Sequence, residues 1–133
     1  MTTLSEQLAH QRKLTAQQLE QRCGMSDQLG TARAVDHSGV FQDMKSASGA
    51  SSELAALGYG THISEEQGYV LLEVQKMTPI DPESVEKFTE EVLGAYHQFG
   101  GDYDGWGAPI VSPQPSTAST RRSWIDRLLR PQR

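Results

Sequence analysis

The chain has 133 residues, 36% of them apolar, and a formal net charge of -5, which is one domain's worth with a modest core and some length left outside it. The charge is uneven: residues 121–133 carry five arginines against Asp126, a local +4, so residues 1–120 carry -9, and an acidic body of this kind is excluded as a direct binder of nucleic-acid phosphates. The lone Cys23 excludes an intrachain disulfide and a Cys-based zinc site, and the lack of an apolar leader or a run near ~18 apolar residues predicts a soluble, cytoplasmic protein without stable membrane insertion.

Residues 3–22 are rich in Gln, Leu and Glu and predict a first helix. Leu4, Leu8 and Leu19 share a narrow arc and Leu14 lies off it, so the helix is expected to lie on the domain rather than inside it. Thr31–His37 predicts a strand, with Arg33, Val35 and His37 on one side and Ala32 and Ala34 on the other. Residues 41–57 predict a helix carrying Met44, Ala47, Leu54 and Leu57 in rough register, although Ser46–Ser52 with Gly49 is poor helix sequence. Gly58 is placed to stop it in the left-handed conformation.

Tyr59–Ile63 predicts a short strand, residues 65–68 a turn, and Tyr69–Met77 a central strand with Val70, Leu72 and Val74 on one side. Asp81 then caps a helix with Pro82 at its first position, and Val85, Phe88, Val92, Ala95, Tyr96 and Phe99 form its apolar face. Gly100 and Gly101 end it, and Asp102–Val111 returns as a last strand bent by Gly105 and Gly107. The predicted order, βαββαβ after an extra N-terminal helix, is that of an α+β ferredoxin-like split βαβ fold with an antiparallel sheet. The expected organisation is residues 1–30 as helix and connector, 31–111 as the core domain, 112–120 as a Pro/Ser/Thr linker and 121–133 as a basic tail.

Catalytic groupings do not emerge. His10, His37, His62 and His97 stand in no metal-ligand spacing, and Cys23 has no neighbouring histidine to activate it. Asp102 and Asp104 fail as a calcium loop because Trp106 and Pro113 fall where oxygen ligands belong. Adjacent pairs such as Glu90 and Glu91 point about 100° apart on a helix and cannot face each other. No catalytic residue, metal or cofactor is expected. The segment Asp102-Tyr-Asp-Gly-Trp-Gly107 is different, because clustered aromatics and glycines in a strand need a reason. Either Trp106 packs on the sheet or a helix beside a glycine-permitted bulge, or Tyr103 and Trp106 present a contact surface.

The run Gly100-Gly-Asp-Tyr-Asp-Gly-Trp-Gly107 after His97-Gln-Phe99, the segment Leu54-Ala-Ala-Leu-Gly-Tyr59 and the opening Ser5-Glu-Gln-Leu8 together resemble the ribonuclease E regulator B (RraB) family over residues 5–111. The resemblance implies a ferredoxin-like domain without catalytic residues that binds ribonuclease E, lowers its endonucleolytic activity and slows RNA turnover. Enteric members end in an acidic tail, whereas this chain ends in a basic one. Its Trp124, Ile125, Leu128 and Leu129 have i, i+4 spacing among arginines, the pattern of a solvated end or of an amphipathic helix that forms on a partner. Tyr103, Asp104, Trp106, Trp124 and Arg127 are the candidate partner contacts, and Gly58, Tyr59, Gly105 and Gly107 the structural motif positions. The alternatives are an adaptor that binds another partner through the tail, and a small-molecule-binding ferredoxin-like domain.

Overall fold

A computed structural model describes residues 3–112. Nearly all of the linker, and all of the tail with Trp124 and Arg127, lie outside the described residues. The elements run α1 (Leu4–Gly24), β1 (Arg33–Phe41), α2 (Met44–Ala56), β2 (Gly60–Glu66), β3 (Tyr69–Thr78), α3 (Pro82–Gln98) and β4 (Asp102–Gly107). The strands form one sheet in the order β2-β3-β1-β4, and every neighbouring pair is antiparallel. Helix α2 carries the chain from β1 across to edge strand β2, and α3 carries it from β3 to the opposite edge, β4. This is the ferredoxin-like α+β arrangement expected from the element order.

Local chemistry sets the helix starts. Thr3 and Glu6 form a reciprocal capping box at α1, each side chain meeting the other's backbone N–H. Asp43 accepts the Ser46 amide at the start of α2, and Asp81 accepts that of Ser84 at the start of α3, where Pro82 loses nothing by lacking an N–H.

The core lies between the sheet and its two covering helices. Phe41, Leu54, Tyr59, Val70, Leu72, Val74, Val92 and Tyr96 form its larger part, and Val35, Ile80, Val85 and Phe88 a second part toward β4. Several boundaries differ from expectation, and β2 runs on to Glu66 through residues expected in the turn, because it pairs with β3 as far as Glu66 opposite Tyr69. Strand β1 runs on to Phe41, because it pairs with β3 along its full length and with β4 on its other side. Gly39 lies in that strand, paired with Leu72 and Tyr103, and glycine is needed there because a Cβ would run into the Tyr96 ring.

In α2 the packed residues are Ala47, Ala50 and Leu54, while Met44 and Leu57 are exposed. Gly49, which weakens the helix signal, leaves room for the Phe99 ring, 2.4 Å from where its Cβ would stand. Strand β4 ends at Gly107, not Val111, since the carbonyls of Ala108 and Pro109 turn away to accept from arginines.

Candidate functional site

The Tyr103–Gly107 segment is edge strand β4. Two residues three apart in a regular strand point to opposite faces. Here Gly39 pairs with Tyr103 and Ser38 with Gly105, so Asp104 is an extra residue and the strand bulges. Gly105 takes φ +125°, a conformation that L side chains rarely adopt. The bulge restores Tyr103 and Trp106 to the same, helix-covered face.

Both aromatics are committed there. The Tyr103 hydroxyl lies 2.8 Å from His37 Nδ1, and its ring meets Tyr96 edge-on at 5.5 Å. Trp106 packs edge-on against Phe88 at 5.3 Å, donates from Nε1 to Thr15 Oγ1 of α1 at 3.3 Å, and lies under the Arg22 guanidinium at 5.5 Å. Trp106 therefore fastens α1 to the domain. Of the side chains from Tyr103 to Gly107, Asp104 alone is solvent-exposed.

Gly58 stops α2 with φ +97°. Tyr59 is buried, donates its hydroxyl to Glu91 Oε1 at 2.7 Å and carries Lys76 Nζ 4.7 Å above its ring. The Leu-Gly-Tyr motif thus joins the end of α2 to α3 and β3.

A buried ionic cluster holds the two chain ends of the domain together. The Asp27 side chain is fully buried and those of Arg33 and Arg22 nearly so. Asp27 accepts from Arg33 Nη1 at 2.7 Å, from Arg22 Nη1 at 2.9 Å and from the Val111 amide at 3.2 Å. Arg33 also donates to the Pro109 carbonyl, and Arg22 to that of Ala108. Burial pushes the Asp27 carboxyl up, but Arg33, Arg22 and the Val111 amide outweigh it and leave the group below its ordinary value. His37 is buried as well. Burial lowers its imidazole to about 3, so it stays neutral between Tyr103 and Phe88.

The opposite sheet face carries no helix among the described residues. Alternation places Tyr69, Leu71, Glu73, Gln75 and Met77 of β3 on it, with Asp36 and Ser38 of β1. Asp36, Ser38, Glu73 and Asp104 line a hollow of about 320 Å³ there. Burial raises the Asp36 carboxyl above its usual value against the hydrogen bond from Gln75, and the nearby Glu73 charge adds to the rise. Asp36 Oδ2 is buried without a hydrogen-bond partner among the described residues. Among the described residues, no three His, Cys, Asp or Glu side chains are grouped to hold a metal ion, and no helix is long and apolar enough to cross a membrane.

Sequence reasoning passed over Asp27, Arg22 and the open-face pair Asp36 and Glu73. Arg33 and His37 left a signal in sharing strand parity with Val35. Asp27 left none, sitting in a connector where an aspartate is ordinary.

The fold and its surfaces define a small α+β domain with one helix-covered face and one open, acid-bearing face. A family model described as Regulator of ribonuclease activity B matches residues 12–108, most of the chain, and the protein belongs to that family. No curated protein matches the chain.

Proposed function

We propose that this protein binds ribonuclease E and lowers its endonucleolytic activity by stoichiometric contact, without chemistry of its own. Family membership across residues 12–108 carries the reading. The charge distribution supplies a mechanism. A nuclease that handles RNA needs a cationic surface to hold phosphates, and a body of -9 complements such a surface. Asp36, Glu73 and Asp104 line the open-face hollow, and the unpartnered Asp36 Oδ2 suits an incoming lysine or arginine donor. Tyr103 and Trp106 serve this contact from behind, by fixing the bulged strand that displays Asp104. Steric exclusion of RNA from the covered basic surface then slows cleavage.

The test is capture of purified ribonuclease E by the full chain at low and high salt, with Glu73→Lys and Asp104→Lys variants alongside. Wild-type binding that weakens with salt and with each reversal is expected. Binding that is indifferent to both reversals places the contact elsewhere, and no binding at saturating protein removes the proposal.

A further inference from the structure

Helices α1 and α3 run antiparallel, joined by Gln7 with His97 at one end and Arg12 with Glu86 in the middle. Between them lies a groove of about 350 Å³ with Leu8, Ala16, Leu19, Pro82, Val85 and Thr89 along its floor and Arg12, Thr15 and Glu86 in its walls. The buried Thr89 Oγ1 has no hydrogen-bond partner among the described residues. Along the α3 edge, Glu86 and Glu90 both approach Arg12, at 2.6 and 3.7 Å, with Glu83 one turn earlier. The groove is therefore apolar along its floor, and its α3 edge carries three carboxylates, Glu83, Glu86 and Glu90, against the Arg12 guanidinium that lines it.

We propose that residues 121–130 of this same chain dock in the groove, seating Trp124, Ile125, Leu128 and Leu129 on the apolar floor and setting Arg127 and Arg130 beside Glu83, Glu86 and Glu90. Three observations favour this occupant. The described chain leaves the domain at the right end: the Val111 amide donates to Asp27 and its carbonyl accepts from Gln28, just beyond the Leu19 end of the groove. The nine Cα–Cα steps from Ser112 to Arg121 reach up to ~30 Å when extended, longer than the ~16 Å of the groove itself.

Second, the lengths agree. Residues 121–130 as a helix span ~15 Å, and Leu8 to Leu19 along α1 span ~16 Å. Third, the charges are complementary, +4 on residues 121–133 against -9 on the rest. The open sheet face is the competing acidic surface, and it carries Tyr69, Leu71 and Met77, but Glu73 and Gln75 separate Met77 from the other two and the hollow there is lined by Asp36, Ser38, Glu73, Asp104 and Trp106, so it offers no continuous apolar groove. Docking would bury the apolar stripe left between α1 and α3 and complete a three-helix layer.

Paramagnetic relaxation in the full chain tests this. A nitroxide is placed at Ala9→Cys in a Cys23→Ser background, at the groove end farthest from the chain exit. Amide signals of residues 121–130 are expected to lose most of their intensity, and to recover when Leu128→Ser and Leu129→Ser are added, while the signals of residues 3–112 keep their positions. Unattenuated signals for residues 121–130 overturn the proposal. Attenuation that appears only between labelled and unlabelled molecules in a mixed sample overturns it in favour of a second copy's tail. Attenuation from a nitroxide at His62→Cys but not at Ala9→Cys overturns it in favour of the open sheet face.

Discussion

Replacing Asp27 by alanine removes the only carboxylate among the described residues that pairs with the two buried guanidinium groups. Arg33 and Arg22 are about 2% and 8% exposed at their side chains, so neither regains full hydration in the variant. Breaking a buried ionic cluster by removing one partner costs about 3–5 kcal/mol, because the remaining charge is left uncompensated. A domain of this size has a total stability of about 5–15 kcal/mol, so Asp27→Ala approaches the limit of folding. With a urea dependence of about 2 kcal/mol/M, the unfolding midpoint falls by about 2 M.

The cluster also gives acid sensitivity. The folded Asp27 carboxyl lies below its ordinary value, so its stabilisation is complete above the unfolded carboxylate pKa near ~4 and is lost as pH falls through the folded value. Urea titration followed by far-UV circular dichroism at pH 7 and again in acid measures both effects. A triple change of Asp27, Arg22 and Arg33 to apolar residues is expected to recover much of the loss, since no stranded charge remains. A midpoint for Asp27→Ala within experimental error of wild type would refute the reasoning.

Three further outcomes follow from the packing. His37 is held neutral at about 3, so the unfolded state takes up the proton first; stability is full above ~6.5 and falls by about 2 kcal/mol by pH 5. A His37→Gln variant should lose that part of the pH slope in urea titrations, and an identical slope counts against it. Gly105→Val forces a β-branched residue into φ +125° and is expected to cost about 1–3 kcal/mol, read as a lower Tm and red-shifted Trp106 fluorescence in a Trp124→Phe background; an unchanged Tm contradicts the bulge argument. Gly49→Ala adds about 1 kcal/mol of helix propensity but drives a methyl into Phe99, so calorimetry should show net destabilisation that becomes stabilisation once Phe99→Leu makes room.

Element order was legible because its signals are local. The Asp81-Pro82 start of α3, the Val70, Leu72, Val74 alternation and the Gly58 stop each rest on residues adjacent in the chain, and all three stand in the structure. What escaped depends on contacts between distant segments. Gly49 looks like a break until Phe99 is seen above it, and the first strand looks shorter than it is until Gly39 is seen under the Tyr96 ring. Met44 and Leu57 look like core until the close approach of Ala47 and Ala50 turns them outward. The Tyr-Asp-Gly-Trp motif was conspicuous in the sequence, yet the side of the sheet it faced hung on one extra residue opposite β1. That residue, Asp104, is the part of the motif left facing solvent.

The most direct test of the account is a titration of ribonuclease E with the full chain, following the initial rate of cleavage of a defined RNA. The account predicts that the rate falls with added protein and levels off at a fixed stoichiometry, and that the Glu73→Lys, Asp104→Lys double variant needs far more protein for the same effect. A rate unchanged at saturating protein would contradict it, as would equal inhibition by the double variant for the proposed surface.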